Sequence, residues 1–285
     1  MKQYDKNSLI GFVLMAVILV VFNTFFFPEV PQEQDPTPAT SPAPATTETA
    51  ITESPITKTT IATTINNTTI SDELKTTYGV FANAAIGEES FHTIENDKLK
   101  ITVTNKGGKI TSVIMKEYQT FDSLPLDLFD ADSLRFNLQL TTVHVINTAD
   151  LFFITNQRGN TLSMKLKVDE DHYVEYIYTL TNDYLIDFDI NLVGMETLIP
   201  IGANYMNLEW QMKTPQTEKS KTNQDMYTGI QYQYSANKEV DYLSFSSTDE
   251  EKINARLNWV AFKQQFFSAI FISKDGFEKP TNLTS

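Results

Sequence analysis

The three histidines are the side chains of this sequence best suited to acid–base or metal chemistry. His92, His144 and His172 stand far apart, and no pair has the HxH or HxxxH spacing that brings two imidazoles to one metal ion. His172 follows the acidic run 169–171, but a calcium loop needs oxygen ligands at set intervals around a glycine turn, which DEDHYVEY lacks. We therefore interpret the acidic run as a hairpin turn and predict no metal site.

Motifs for nucleophilic or phosphate chemistry are absent from the sequence. It contains no GxSxG, GxxxxGK[ST] or GxGxxG motif and no cysteine, which excludes disulfides and a thiolate nucleophile. Asp187 and Asp189 share one strand face, but a glycosidase pair needs one carboxyl group in an apolar pocket, and a solvated face explains them better. Gly107 and Gly108 could cradle an anion, but between two strands they first predict a hairpin with positive φ. We expect no catalytic residue, no cofactor and no enzymatic activity.

The charge balance argues against two classes of partner. The formal net charge is −14, and no short window holds more than three Lys or Arg residues. Nucleic-acid binding needs a concentrated basic face, so we expect no nucleic-acid partner. Electrostatic attachment to anionic lipid is disfavoured for the same reason.

An apolar run near the N-terminus predicts a membrane anchor. Residues 9–27, LIGFVLMAVILVVFNTFFF, carry no formal charge and would span about 28 Å as a helix, close to the roughly 30 Å hydrocarbon core. Lysines precede the run and acidic residues follow it, so residues 1–8 are expected in the cytoplasm and the bulk of the chain outside. The alternative is a cleaved signal peptide, but Phe25–Pro28 is a poor peptidase site.

The composition changes abruptly after this run. Seven of the eleven prolines lie in residues 28–55, and a Thr-rich tract continues to Thr77. Such a segment cannot bury enough apolar surface to offset its ordering entropy. We predict a disordered Pro/Thr-rich tether over residues 28–85.

From about residue 86, apolar and polar residues alternate as in half-buried antiparallel strands. Five such runs cover residues 99–104, 162–168, 174–180, 186–192 and 206–212. Turn residues stand between or beside them, at 105–108, 158–160, 169–171 and 181–183. The pattern predicts a mainly β, antiparallel sandwich over residues 86–285. The polar stretch 214–224 fits either a short surface helix or a loop.

The most apolar stretch outside the N-terminus is 258–272, NWVAFKQQFFSAIFI. Trp259, Phe262, Phe266 and Ile270 fall at helical spacing, but a membrane-surface helix would carry more Lys and Arg on its other face. We instead predict that residues 266–272 form a strand buried on both faces, ending in a turn at Ser-Lys-Asp-Gly.

Three stretches, in this order, resemble the YidC family, the bacterial members of the Oxa/Alb membrane protein insertases. They are DKNSLIGFVLM at the N-terminus, KLKITVTNKGGKITSVIMKEY over residues 98–118, and NWVAFKQQFFSAIFI. The second resembles the first hairpin of the family's large periplasmic domain, and the third resembles a W-V-A-x-x-Q-Q segment late in that domain. The matching residues, with an expected structural role, are Gly107, Gly108, Trp259, Gln264, Gln265 and Phe267.

The resemblance implies a periplasmic β-supersandwich, similar to galactose-mutarotase-like folds, held at the cell inner membrane by one transmembrane helix. It implies a role in inserting and folding inner-membrane proteins. The implied partners are the lipid bilayer, nascent membrane proteins and Sec translocon components including SecD and SecF. The family's insertase core comprises five further transmembrane helices, and no apolar run of that length follows Phe27. We therefore expect a C-terminally incomplete chain, to which no residue of the insertase core can be assigned.

Two other functions remain open on the sequence. One is a membrane-anchored carbohydrate-binding or mutarotase-like sandwich, for which His144 and His172 are the available acid–base candidates. The other is a surface-anchored, adhesin-like sandwich. A shared fold does not by itself imply a shared activity.

Overall fold

The computed structural model describes residues 71–129, 132, 134–203, 205–243, 245 and 247–285. The predicted cytoplasmic N-terminus, the anchor at 9–27 and the tether up to residue 70 lie outside these ranges. Within them, no helix combines the length and apolar character needed to cross a bilayer.

The described residues form two short α-helices, three 3₁₀ turns and seventeen strands. The helices are α1 (Asp72–Tyr78) and α2 (Lys221–Asp225), and the 3₁₀ turns are Gly79–Ala85, Thr148–Asp150 and Met195–Thr197. The strands are β1 (Phe91–Glu95), β2 (Leu99–Thr104), β3 (Ile110–Gln119), β4 (Pro125–Asp127), β5 (Arg135–Thr141), β6 (Val145–Asn147), β7 (Ile154–Arg158), β8 (Thr161–Lys167), β9 (Tyr173–Leu180), β10 (Ile186–Val193), β11 (Asn207–Gln211), β12 (Gly229–Tyr234), β13 (Val240–Tyr242), β14 (Glu250–Ile253), β15 (Leu257–Lys263), β16 (Ser268–Phe277) and β17 (Thr281–Thr284).

All strand pairs in these ranges are antiparallel. The strand orders are β1-β2-β3-β4, β10-β9-β8-β7, β11-β5-β6, β13-β12-β15-β16 and β14-β17. The first three sheets contribute to one large apolar core, and the last two enclose a smaller one. The predicted mainly β, antiparallel fold is confirmed.

The hairpins follow the local sequence as predicted. Gly107 and Gly108 join β2 to β3 with φ of 74° and 63°, and Gly159 joins β7 to β8 with φ of 57°. Only glycine adopts this left-handed backbone without a steric penalty. The two further turn predictions hold, since the acidic run 169–171 joins β8 to β9 and residues 181–183 join β9 to β10. The polar stretch 214–224 includes the first four residues of α2, whose Ser220 cap accepts a hydrogen bond from Asn223 N.

The predicted start of the folded domain at residue 86 is wrong. Ser71 caps α1 by accepting a hydrogen bond from Leu74 N, and the following 3₁₀ turn places Phe81 in the large core, fully buried. The carbonyl of Ala84 accepts the N–H of Phe152 at 2.7 Å. The Thr-rich composition of this region therefore gave no indication that a short apolar segment within it packs on the strands.

Two tyrosines of β9 lie in the large core and differ in how their hydroxyl groups are satisfied. Tyr178 Oη donates to the carbonyl of Gly108 at 2.7 Å. Tyr176 Oη is buried without a hydrogen-bond partner among the described residues, although the Thr148 hydroxyl lies close enough to offset part of its pKa rise. Burial raises the pKa of both phenols well above the usual value of 10.

We expect the two phenylalanine variants to change stability in opposite directions. Tyr176→Phe removes a buried hydroxyl that makes no well-formed hydrogen bond to the described residues, since Thr148 Oγ1 nearby already accepts from Leu138 N, and should raise the free energy of unfolding by about 1 kcal/mol. Tyr178→Phe leaves the buried Gly108 carbonyl without its donor and should lower it by about 1–2 kcal/mol. Urea denaturation at pH 7 measures both, and equal signs would contradict this assignment.

The pH dependence gives an internal check on the same variants. Because both folded-state pKa values lie above the unfolded value, the stability linked to these phenols is complete below pH 10 and is lost as pH rises beyond it. Each variant should therefore lose less stability than the parent protein between pH 9 and about 11.

Candidate docking face

The stretch 258–272 forms a strand hairpin, and two details of the prediction for it are wrong. Strands β15 and β16 flank a turn at 264–267, so the helical alternative is excluded. Strand β16 is not buried on both faces, because Ile270 and Ile272 are 52% and 57% exposed. The Ser-Lys-Asp-Gly segment does not end the strand. Trp259 pairs with Ile272 but Leu257 pairs with Phe277, so residues 273–276 form a bulge within β16.

One face of the sheet β13-β12-β15-β16 is covered by the protein itself. Ile230, Tyr232 and Leu257 lie in the smaller core, and Val260 packs against it. Phe262 meets Trp210 of β11 with ring centroids 4.3 Å apart, and Phe271 meets the same indole at 5.8 Å. These contacts join the C-terminal sheet to the edge of the sheet β11-β5-β6.

The opposite face, which we call the open face, presents two rows of side chains across the four strands, apolar except for one glutamine in each. One row runs Tyr242, Gln231, Ala261 and Ile270. The next runs Val240, Gln233, Trp259 and Ile272. Val240, Tyr242, Ile270 and Ile272 are each about half exposed, between 49% and 57%. Side chains alternate between the faces of a strand, so the pairing that directs Tyr232 and Val260 toward the smaller core directs these rows to the opposite face, where Ala261 between its neighbours is buried and the four residues named above stay exposed.

Aromatic side chains extend the open face at its other end. Phe245 stacks on Tyr242 at 5.0 Å and lies directly over Gly229, where a Cβ would stand 2.2 Å from its ring. Lys263 Nζ lies 5.8 Å from the Tyr227 ring and 6.0 Å from the Phe245 ring. Its ammonium group also donates to the carbonyls of Tyr227 and Gln264, each at 3.3 Å.

The electrostatics of the open face differ from those of the chain. The chain is strongly acidic, yet none of the strand residues in these rows is acidic, and the lysine beside them is already paired with carbonyl groups. A cationic group placed on these rows would lose hydration without gaining an opposite charge, and an anionic group would gain one only beside Lys263, at one end. The face therefore suits an uncharged, apolar partner segment.

The six motif residues are not brought together. Trp259 lies on the open face, and Gln264, Gln265 and Phe267 form the adjacent turn. Phe267 packs edge-on against Tyr118 at 5.2 Å, while the Oε1 atoms of Gln264 and Gln265 are buried and have no hydrogen-bond partner within the described ranges. Gly107 and Gly108 belong to the β2–β3 hairpin in a different sheet. Val240, Tyr242 and Phe245 were missed, although Val240 and Tyr242 alternate with Glu239 and Asp241 and so carry a period-two signal.

The three histidines do not share a site in the described part of the chain. His172 Nδ1 lies 2.8 Å from Asp169 Oδ1 in the exposed β8–β9 turn, and this hydrogen bond lowers the pKa of the Asp169 carboxyl. His92 Nε2 lies 2.9 Å from Thr155 Oγ1, and His144 lies in the β5–β6 turn. No cluster of metal-ligating side chains occurs among the described residues.

A groove of about 640 Å³ lies beside the β12–β13 turn. Its lining includes Glu239 and Asp241 but no histidine. Its one arginine, Arg256, is paired with Glu278 at 2.8 Å and with the carbonyl of Asp275 at 2.9 Å. The groove thus lacks the histidine and carboxylate pair that a mutarotase requires.

Comparison with known proteins gives a consistent result. Residues 92–284 match the family model for the YidC periplasmic domain. The chain is 32% identical to the membrane protein insertase YidC of Parabacteroides distasonis over 289 residues, which is 97% of this chain and 45% of that protein. The YidC insertases of Bacteroides fragilis and Phocaeicola vulgatus are also 32% identical, over 97% and 99% of this chain and 44% of each relative. The chain thus spans just under half the length of these curated relatives.

Proposed function

Because this chain belongs to the YidC periplasmic domain family, we propose that it is the anchor and periplasmic part of a membrane protein insertase. In this proposal the domain is a β-supersandwich of the galactose-mutarotase-like type, held at the inner membrane by residues 9–27 with the N-terminus in the cytoplasm. It performs no covalent chemistry. It positions membrane proteins during their insertion and folding, in contact with Sec translocon components including SecD and SecF.

The observation that carries the docking role is the open face. Covering an exposed apolar sheet face with a partner is favourable by roughly 25 cal/mol per Å² of apolar surface removed from water. The occupant that matches its lack of acidic side chains is an uncharged apolar segment of a nascent membrane protein. Trp259 and Tyr242 add rigid aromatic area, which is characteristic of interaction surfaces.

A photo-crosslinking experiment tests this role. The full chain in inner-membrane vesicles carries a photoreactive amino acid at Ile270, and a membrane protein is translated in its presence. We expect capture of the nascent chain, and Ile272→Asp should reduce it about tenfold, because a half-exposed isoleucine contributes roughly 1–1.5 kcal/mol when it is covered.

The matched control is Ile154→Asp on β7, since Ile154 is 58% exposed but belongs to another sheet. This change should leave capture unaltered. A nascent chain whose apolar segment is replaced by polar residues should not be captured. Equal capture of both nascent chains, or products that contain only Sec subunits, would contradict docking of the apolar segment.

A further inference from the structure

A second apolar surface lies at one end of the domain, where the β5–β6 hairpin lies near residues 198–203 and 205–206. It holds the two most exposed large aliphatic side chains of the described ranges, Ile201 at 98% and Val143 at 92%. Tyr205 and Val145 beside them are 66% and 60% exposed. We call these four residues the apolar end.

Strand pairing brings the two segments together. Strand β11 follows residues 205–206 directly and pairs with β5, where Asn207 stands opposite Gln139. A small cavity of about 110 Å³ lies between them and is lined by Leu140, Thr141, Leu192, Ile199, Ala203, Tyr205 and Met206. Val145 pairs with Thr141, one of these lining residues. The two segments that carry the apolar end therefore lie on either side of the same end of β5.

Hydrogen-bonded turns hold the two tips in place. Ala203 N donates to the carbonyl of Pro200 at 2.8 Å, which places Ile201 at the corner of a tight turn. Thr142 N donates to the carbonyl of His144 at 2.8 Å, and Val143 lies between them. A Cβ at Gly202 would meet nothing within 4 Å, so this tip projects away from the protein. The aliphatic side chains are thus presented to solvent by fixed backbone turns.

We propose that the apolar end inserts into the interfacial region of the lipid bilayer. Side chains that stand on projecting tips do not form a groove for a protein segment, but they can enter a fluid apolar phase. Tyr205 supplies the amphipathic ring that is common at the boundary between lipid headgroups and hydrocarbon.

The path of the chain supports the bilayer as the occupant. Helix α1 lies against β6, and a Cβ at Gly79 would stand 3.0 Å from His144 in the β5–β6 turn. The first described helix thus lies beside the β5–β6 hairpin, and the apolar run 9–27 precedes Ser71 by only 43 residues of sequence, so a bilayer that holds this run lies within reach of the domain. That the run 9–27 lies in a membrane rests on the proposed function.

Charge decides which lipids favour the contact. None of the four side chains is cationic, and the chain as a whole carries −14. Insertion is therefore driven by apolar burial and is opposed by anionic headgroups. We expect stronger contact with zwitterionic phosphatidylcholine than with vesicles containing phosphatidylglycerol.

Fluorescence quenching tests the insertion directly, because the natural chain has no cysteine and accepts a single labelled one. The full chain with Ile201→Cys or Val143→Cys carries an environment-sensitive nitrobenzoxadiazole label and is reconstituted in phosphatidylcholine vesicles that contain nitroxide-labelled lipid. We expect blue-shifted emission and strong quenching at both positions. Ile201→Asp should reduce the quenching of the label at residue 143 about tenfold.

The matched control is Ile154→Cys, which has a similar exposure on β7, the edge strand opposite β10 in its sheet. It should show little quenching. Quenching at residue 201 no greater than at residue 154 would overturn the proposal, and so would quenching that increases with phosphatidylglycerol. Loss of nascent-chain capture at the open face with quenching retained would overturn the docking role alone. Loss of quenching at residues 143 and 201 with nascent-chain capture retained would overturn the membrane inference alone.

Discussion

Replacing Gly108 by alanine is expected to lower the free energy of unfolding by about 2–4 kcal/mol. Gly108 has φ of 63°, and the left-handed backbone alone costs an alanine about 1 kcal/mol. A Cβ there would also stand 2.8 Å from Cδ2 of Tyr176, which is fully buried and cannot move aside. Crowding a packed core in this way costs a further 1–3 kcal/mol or so.

Gly159→Ala is the matched control for this substitution. Its φ of 57° is nearly the same, but a Cβ there would meet nothing within 4 Å. Only the backbone penalty of about 1 kcal/mol should remain. Urea denaturation with unchanged m-values compares the two variants. An equal loss at both positions would show that the contact with Tyr176 is not what requires glycine at residue 108.

The sequence predicted the strands best where both neighbours in the sheet bury the same face. The runs at 162–168 and 174–180 alternate strictly, and Leu162, Met164, Val174 and Tyr176 are fully buried. Their turns were equally clear, since glycine or acidic side chains mark each reversal of the chain. Period-two patterning and turn chemistry are local properties, so a single sequence reveals them.

The sequence predicted less well wherever burial depends on distant segments. Nothing in residues 266–272 shows that Phe271 meets Trp210 while Ile270 and Ile272 face solvent, because that outcome depends on which sheet edge lies beneath the hairpin. A continuous apolar run is compatible with burial of one face or of both. The open face was missed for this reason, although four of its residues lie in the stretch that led to the family resemblance.

The error at residues 71–85 has the same origin. Composition placed this segment in the tether, since Thr-rich sequence continues to Thr77. Its burial depends on Phe81 entering a core whose other members are at least thirteen residues further along the chain. Local composition therefore indicated disorder for a segment that the strands hold in place.

Replacing Phe81 by alanine should accordingly destabilise the domain by about 3–5 kcal/mol, although the residue lies outside the predicted sandwich. The ring is fully buried in the large core, and its removal both loses apolar burial and leaves a cavity. Val80→Ala is the matched control, because Val80 is adjacent in sequence but 40% exposed. It should lower the free energy of unfolding by less than about 1 kcal/mol.

Truncation extends the same prediction from one side chain to the whole segment. A piece that begins at residue 71 should unfold cooperatively. A piece that begins at residue 86 should have a lower free energy of unfolding than the Phe81→Ala variant of the longer piece. The shorter piece loses the Phe81 ring and also leaves Phe152 N without the carbonyl of Ala84, its partner at 2.7 Å. If both pieces unfold at the same urea concentration, residues 71–85 contribute nothing to the core, and the sequence-based boundary at residue 86 would stand.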